Sequence, residues 1–327
     1  MEHSSGRRRA LQAIAAAATA TALPALRAQG VAGGKSLRIV VGFAPGGAAD
    51  VMARIIAKGL GAELGQTVIV DNKPGADGIL SAQEVLKAPP DGSTILMGTN
   101  TAMVAVPALR SNPPYDPFKA FVPISTAGEF SMFLAVAPQL PVKNLAEFLD
   151  LVAADPGKYT SASSNSASEL AMLQLLSTRG VKVVNARYKG DAPALTDLAS
   201  GQIHMIFSTG TLLPNFVKEG RAKALVTLLP KRSPLLPEVP TAAELGIGKL
   251  TITPWAGFFG PAGLPADTTE KLSAGLRAAL ARADVRDQLV AQGFASYGMA
   301  PAEFIAFFHR QYDAFTATVR ENNVRFD

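Results

Sequence analysis

The sequence contains no cysteine and only three histidines, and both shortages narrow the chemistry open to the protein. Without cysteine, disulfides and thiolate metal sites are excluded. His3 lies in an N-terminal leader and His309 in an aromatic helical pattern typical of a packed core, so a Ser-His-Asp triad would have to use His204. A histidine-rich zinc site is not available either. The composition therefore argues against a hydrolase or a metalloenzyme, and we expect no metal.

Charge is concentrated at the N-terminus. Arg7–Arg9 precede an uncharged run rich in Ala and Leu, Ala10–Leu26, and a small residue follows at Ala28. This order predicts an export signal over residues 1–28, cleaved near Ala28. The arginine run favours the twin-arginine route, but no Phe follows it, so general secretion stays open. The leader carries +3 of the formal +5 charge, and no basic cluster with aromatics is present elsewhere, so no nucleic-acid partner is expected.

The most informative motif is Ile39–Asp50, in which an apolar run enters a Pro-Gly-Gly turn and a helical pattern follows. The pattern predicts a strand, a tight turn and a helix N-terminus. The first N–H groups of a helix are unpaired and carry the positive end of its dipole, and glycines let an anion approach them. The motif therefore favours a carboxylate or phosphate site, with an ordinary strand–helix turn as the alternative. The glycine spacing fits neither a dinucleotide fingerprint nor a P-loop.

Strand and helix patterns alternate through the roughly 300 residues after the leader, enough for about two domains. The predicted strands are Thr67–Val70, Thr94–Met97, Phe133–Val136, Val183–Tyr188, Ile203–Phe207, Ala224–Leu228 and Thr251–Phe259. Residues 112–117 are predicted to be an irregular connector, 211–219 a helix and 267–292 a long helical region. In a parallel sheet the loops after successive strands gather at one edge, where ligands bind. Two such series behind an export signal indicate a two-lobed solute receptor that closes at a hinge.

Five stretches, in order along the chain, resemble the periplasmic solute receptors of tripartite tricarboxylate transporters, the Bug family. They are Ile39–Arg54, Val70–Gly78, Arg187–Gln202, Leu236–Glu244 and Trp255–Pro265. The resemblance implies an α/β type II periplasmic binding protein fold, with two α/β lobes joined by a hinge around a ligand cleft. Its implied segments are residues 29–128 for the first lobe, 129–249 for the second and 250–327 completing the first.

The resemblance also implies what the protein does and with which residues. It implies a periplasmic receptor for a small carboxylate (a di- or tricarboxylate, a monocarboxylate or an amino acid) that delivers its ligand to integral membrane transporter subunits. No catalysis and no cofactor are implied, and we expect a monomer. The candidate ligand-binding residues are Phe43, Ala44, Pro45, Gly46, Gly47 and Asp50 in the first lobe, and Ser161, Ala162, Ser163, Ser164, Ser166, Glu169 and Tyr188 in the second.

The second candidate loop departs from the family pattern. Ser163 and Asn165 stand where the pattern has glycines, and Glu169 stands where it has a histidine. Facing the cleft, Glu169 would repel an anion by about 4 kcal/mol at ~4 Å and an effective dielectric near 20. Either Glu169 points away from the cleft, or the ligand is smaller or less negative than citrate.

Two other functions stay open at this point. An exported hydrolase could use a serine of Ser161–Ser168 with His204 as its base, which requires hydrogen-bond contact between the two. A sensory receptor without a transporter would use the same closing lobes, so the sequence does not separate it from a transport receptor.

Overall fold

A computed structural model of the chain describes residues 36–322, apart from 211, 249 and 251. The predicted export signal over residues 1–28 lies outside the described residues. The strands are β1 (Leu37–Val41), β2 (Val68–Asn72), β3 (Thr94–Thr99), β4 (Phe121–Phe130), β5 (Met132–Val136), β6 (Thr160–Ser163), β7 (Val184–Arg187), β8 (Met205–Thr209), β9 (Lys223–Thr227), β10 (Trp255–Pro261) and β11 (Phe294–Ser296).

Helices fill most of the intervals between these strands. They are α1 (Ala48–Leu64), α2 (Ile79–Leu86), α3 (Val106–Leu109), α4 (Pro117–Ala120), α5 (Leu145–Ala154), α6 (Ser166–Ser177), α7 (Asp191–Ser200), α8 (Leu213–Lys218), α9 (Ala266–Ala281), α10 (Ala283–Ala291) and α11 (Pro301–Asn322). Two 3₁₀ turns, Ala76–Gly78 and Pro156–Lys158, and one π-helical turn, Thr101–Ala105, complete the elements. No helix among the described residues is long and apolar enough to cross a membrane.

The first lobe is built on a six-stranded sheet with the order β11-β4-β10-β3-β1-β2. Strand β1 pairs in parallel with β2 and β3, whereas β10 runs antiparallel to β3 and β4. The sheet is therefore mixed, with the parallel strands β2, β1 and β3 side by side. Strand β4 leaves this lobe at the same edge at which β10 returns to it, so the two strands run in opposite directions.

The second lobe repeats this plan in a five-stranded sheet with the order β7-β6-β8-β5-β9. Strand β6 is parallel to β7 and β8, and β5 is antiparallel to β8 and β9. Again the antiparallel member, β5, is the strand that enters from the other lobe. In both sheets the parallel strands therefore end at the edge facing the partner lobe, which is where their loops can meet a ligand.

The chain crosses between the sheets at Phe130–Ser131 and again through residues 228–254, and the crossings lie side by side. The Phe130 N–H donates to the carbonyl of Pro254 at 2.7 Å, and the Ser131 N–H donates to that of Gly293 at 2.8 Å. These backbone hydrogen bonds tie the crossings to the edge of the first sheet. Two adjacent connections of this kind allow one lobe to rotate against the other.

A third hydrophobic cluster covers the second face of the first sheet and extends to α6 of the second lobe. Trp255 is fully buried, and its ring centroid lies 5.6–5.8 Å from those of Phe304, Phe307 and Phe308 in α11. Leu170 of α6, in the second lobe, packs into the same cluster. The C-terminal helix α11 therefore joins the lobes, as the 2.7 Å hydrogen bond from Gln174 Nε2 in α6 to Thr318 Oγ1 in α11 also shows.

Several predicted elements differ from the observed ones. Strand β4 was not predicted, because its sequence contains Pro123 and a run of small residues, Ser125–Gly128, where strand propensity is low. The predicted strand at 251–259 begins only at Trp255, after Pro254. The predicted helical region at 267–292 is two helices, because Arg282 has extended backbone angles. The helix predicted over 211–219 is the shorter α8.

Candidate functional site

Three loops meet at the interlobe edge of the first sheet. They follow β1, β2 and β3, and glycines allow their close approach. A Cβ on Gly42 would lie 2.9 Å from the Gly78 Cα, and a Cβ on Gly78 would lie 2.9 Å from the Ala102 Cβ. The 3₁₀ turn after β2 also places Ala76 and Asp77 at positive φ, 48° and 57°. Non-glycine residues in this region are strained and concentrate at functional sites.

The predicted loop Phe43–Gly47 is one of the three. Residues 44–47 are exposed, and Gly46 has a φ of 81°, which glycine adopts without strain. The N-cap of helix α1 is Gly47, and no side-chain hydrogen bond caps this N-terminus. The first N–H groups of a helix have no acceptor inside it. This end of α1 therefore offers backbone donors to an anion.

Asp50 fixes the shape of this loop from beneath. It is 3% exposed, and its carboxylate accepts hydrogen bonds from the Gly46 N–H at 2.9 Å and the Asn72 amide at 2.9 Å. Arg54 Nη2 lies 2.8 Å from the same carboxylate. Asn72 Nδ2 also donates to the carbonyl of Phe43 at 3.0 Å. The end of β2 thus holds the loop that follows β1, a role the sequence did not reveal.

The charge state of Asp50 follows from these partners. Burial alone would raise the pKa of this carboxyl, but the hydrogen bonds from Arg54, Gly46 and Asn72 outweigh burial and hold the pKa below its ordinary value. Asp50 is therefore ionised at neutral pH. Because its carboxylate already has these partners, Asp50 supports the loop, and a direct ligand contact from it stays a prediction.

In the second lobe, the predicted loop Ser161–Ser166 spans the end of β6 and the start of α6. Asn165 caps α6, since its Oδ1 accepts from the Ser168 N–H at 2.9 Å. The Ser168 hydroxyl in turn accepts from the Ser164 N–H at 3.1 Å. Asn165, which stands where the family pattern has a glycine, is therefore a helix cap. Ser166 and Ala162 are buried, and Ser164 is half-buried.

A chain of polar side chains runs beneath this loop. The Ser161 hydroxyl donates to Asn185 Oδ1 at 3.1 Å, and Asn185 Nδ2 donates to the Ser163 hydroxyl at 3.0 Å. Ser163 in turn donates to Glu169 at 3.4 Å, and Glu169 forms an ion pair with Arg187 at 2.9 Å. The hydroxyls of the two candidate serines, Ser161 and Ser163, therefore form hydrogen bonds within the second lobe.

Glu169 is paired within the second lobe, and a contact of its side chain with the ligand stays a prediction. Its side chain is 14% exposed and faces Arg187 at the end of β7, so its counter-charge comes from the chain. Burial raises the pKa of Glu169 above its ordinary value, and Arg187 and Ser163 offset only part of that rise. The pair itself adds no net charge when Glu169 is ionised.

Tyr188 and Asp191 anchor the neighbouring loops. The Tyr188 hydroxyl donates to Asp197 Oδ2 at 2.7 Å, which raises the pKa of that tyrosine. Asp197 therefore does not lie on a freely solvated helix face. Asp191, in the first turn of α7, accepts from the Thr209 N–H at 2.8 Å and from the Ser208 hydroxyl at 2.9 Å. That the Tyr188 ring lines the cleft stays a prediction.

The hydrolase hypothesis is wrong on geometry. His204 lies at the start of β8, and its Nδ1 accepts the Thr160 N–H at 3.1 Å. The Ser161 hydroxyl donates to Asn185 and Val184, and the other serines of the loop lie at the far end of β6. Burial lowers the pKa of His204. The described residues also contain no group of three or more His, Asp or Glu side chains that could hold a metal ion.

The chain belongs to the tripartite tricarboxylate transporter family receptors, which it matches over residues 52–324. It is 34% identical over 299 residues to a UPF0065 protein encoded in the tcbD-tcbE intergenic region of Pseudomonas sp. strain P51, covering 90% of this chain and 88% of that one.

Two solved structures extend the comparison. The periplasmic binding protein BugD is 30% identical, with a TM-score of 0.76, covering 89% of this chain and 98% of its own. MatC from Rhodopseudomonas palustris with bound malate is 31% identical, with a TM-score of 0.73, covering 87% and 98%. The predicted family and fold class are thereby confirmed. Members of this family are periplasmic solute-binding receptors, so the chain is a receptor and not an enzyme.

Proposed function

We propose that the protein captures a small carboxylate between its lobes, at the loops Phe43–Gly47 and Ser161–Ser166. The observation that carries the proposal is the uncapped N-terminus of α1, beneath an exposed glycine loop that Asp50 holds in place. Helix α6 begins at the corresponding edge of the second lobe. Two helix N-termini supply donors and positive dipole ends to an anion without a mobile cation. The bound malate of MatC supports a carboxylate rather than a phosphate.

The ligand class follows from the charges around the second loop. Arg187 forms an ion pair with Glu169, so this pair supplies no net positive charge to balance a third carboxylate. We therefore infer a preference for mono- and dicarboxylates, including amino acids, over citrate. Calorimetric titration with malate, succinate, lactate, aspartate and citrate tests this order. Citrate binding as tight as that of malate, and unchanged in Glu169→Gln, would contradict it.

A matched pair of glycine variants tests the site. Gly46 and Gly65 flank the two ends of α1, at φ angles of 81° and 64°, and an added Cβ at either meets no atom within 4 Å. Gly46→Ala and Gly65→Ala therefore carry similar backbone strain, but only the first places a methyl group on the proposed ligand loop. We expect Gly46→Ala to weaken malate binding by about tenfold or more and Gly65→Ala to leave it unchanged. Equal affinities would place the ligand elsewhere.

Closure and delivery complete the proposal. The crossings at Phe130–Ser131 and 228–254 would act as the hinge, the lobes being 36–130 with 255–322 and 131–227. Small-angle scattering with and without saturating malate tests closure, and identical curves would contradict it.

In the cell, we propose a monomeric receptor that is exported through residues 1–28 and delivers its ligand to membrane transporter subunits. Sequencing the N-terminus of periplasmic protein tests the export signal, and retention of Arg7–Arg9 would refute it.

A further inference from the structure

Buried polar side-chain atoms without a hydrogen-bond partner are concentrated at the interlobe edge of the first sheet. Within the part of the chain that the structure describes, they include Asn100 Nδ2, Trp255 Nε1 and Glu129 Oε2. The sheet register pairs Trp255 with Glu129, and it pairs Ala256 with Thr99. The three side chains therefore follow one row across β3, β10 and β4.

Two members of this row have compensating surroundings. The Trp255 indole lies among phenylalanine rings at interplanar angles of 74–87°, an arrangement suited to weak contacts between an N–H and a ring face. Glu129 already accepts the Tyr297 hydroxyl through its other oxygen at 2.9 Å. Asn100 has no such compensation, although its side chain is only 5% exposed. A buried amide N–H without an acceptor lowers stability, so its presence needs another explanation.

The position of Asn100 supplies one. It follows the last residue of β3, and β3 is parallel to β1 with Met97 beside Val41. Strand β1 ends at Val41 and leads into Phe43–Gly47, whereas β3 continues to Thr99, so Asn100 begins the loop of the neighbouring strand at the same edge of the sheet. Gly78 lies between the two loops, because an added Cβ on Gly42 would lie 2.9 Å from the Gly78 Cα and one on Gly78 would lie 2.9 Å from the Ala102 Cβ.

The backbone after Asn100 also has a conformation that is uncommon in proteins. A π-helical turn, Thr101–Ala105, begins at the next residue, and such turns are rare and frequent at functional sites. The turn contacts the 3₁₀ turn Ala76–Gly78 and helix α6 of the second lobe. Asn100 therefore immediately precedes a turn that contacts both the loop after β2 and the helix that begins at the second candidate loop.

We propose that Asn100 is a ligand contact, whose amide N–H donates to a carboxylate oxygen of the solute held at Phe43–Gly47. This inference rests on the proposed function and adds a side-chain donor to a site otherwise made of backbone donors. The ligand supplies the acceptor that the folded chain lacks. A residue kept for binding in this way lowers the stability of the empty protein and raises its affinity.

Asn100→Leu tests this by separating stability from affinity. We expect the ligand-free variant to melt at the same temperature as the parent or higher, while its malate affinity falls by about tenfold or more. Asn144→Leu is the matched control, because Asn144 caps α5 at an exposed position away from the cleft. It should show the reverse, with a lower melting temperature and unchanged affinity.

Asn100→Asp keeps the shape of the side chain but presents a carboxylate to the ligand, and it carries the test if Asn100→Leu does not fold. Loss of affinity in a folded Asn100 variant supports the inference. Malate affinity within twofold of the parent, or a fall in ligand-free stability as large as that of Asn144→Leu, overturns it and leaves the proposed function standing. Absence of binding to malate, succinate, lactate, aspartate and citrate in the parent protein overturns the proposed function, and this inference with it.

Discussion

Removing Arg187 should destabilise the second lobe in a way that depends on pH. The Glu169 carboxylate is 14% exposed, and Arg187 is its cationic partner at 2.9 Å. A pair at about 4 Å is worth about 4 kcal/mol at an effective dielectric near 20. Because 53% of the Arg187 side chain is exposed, solvent screening reduces this figure. We therefore expect Arg187→Ala to lower the free energy of unfolding by about 1–2 kcal/mol at pH 7.5.

The sign of the pH dependence follows from the carboxyl. Burial already raises the pKa of Glu169, and losing Arg187 raises that pKa further. A carboxyl whose folded pKa lies above its unfolded value contributes stability below the unfolded pKa and loses that contribution as pH rises through the folded pKa. The penalty of Arg187→Ala should therefore be small near pH 4 and reach its full value by pH 7.5. Urea unfolding at the two pH values measures it.

A double variant and an exposed ion pair provide the controls. Glu169→Gln in the Arg187→Ala background removes the uncompensated charge and should restore most of the lost stability. Arg179→Ala breaks the pair with Asp150, at 3.0 Å but with side chains 45% and 70% exposed, and should change stability by less than about 0.5 kcal/mol. A penalty of Arg187→Ala that is equal at pH 4 and 7.5, and that Glu169→Gln does not relieve, would refute the electrostatic account.

Three further changes probe the groups around the cleft. Asp50→Asn should lower the free energy of unfolding by about 2–4 kcal/mol at pH 7, because Arg54 and the Gly46 N–H lose an ionised partner. The pKa of Asp50 is held low in the folded protein, so this loss of stability should shrink as pH falls through the folded pKa, and urea unfolding curves measure it. Glu129→Gln should raise the melting temperature more at pH 8 than at pH 4. Burial raises the pKa of Glu129 in the folded protein, so at pH values above the pKa of the unfolded chain the ionised carboxylate destabilises the fold. An equal rise in melting temperature at the two pH values would contradict this. Gly257→Ala should lower the free energy of unfolding by about 1–3 kcal/mol, because the added Cβ would clash with the Phe304 ring; an unchanged denaturant midpoint would contradict this.

The general plan of the protein could be predicted from the sequence, because hydrophobic periodicity fixes which strands and helices can form. Ile39–Val41 and Thr94–Met97 are buried apolar runs, and they are the centre of the first sheet. Strand β4 was not predicted, because its residues are small or polar and its partners, β10 and β11, come more than 120 residues later in the chain. Pairings of such long range leave no local pattern.

The candidate site was predictable only in its backbone. Glycine and serine loops before helices predict an anion-binding geometry, since that geometry depends on local sequence. The residues that hold those loops in place have no local signal in the sequence, because each comes from another strand. Asn72 reaches Phe43 and Asp50 from β2, and Arg187 reaches Glu169 from β7. Asn100 follows a predicted strand, but only the strand order of the sheet shows that this strand lies next to β1, which leads into the first loop.

The two lobes hold their ligand loops by different means, and this difference bears on how the protein selects a solute. The first loop is fixed by an ionised carboxylate, Asp50, which accepts from the Gly46 N–H of the loop and forms an ion pair with Arg54. The second is fixed by a neutral cap, Asn165, with the charges of Glu169 and Arg187 balanced beside it. Neither support needs to move when the lobes rotate, because each lies within one lobe. In the proposed mode of binding, recognition would depend on preformed backbone donors, and closure would bring the two halves together without reordering them. Discrimination between solutes would then fall to the few side chains between the loops, where the proposed Asn100 amide or one unbalanced charge would change the preferred number of carboxylates.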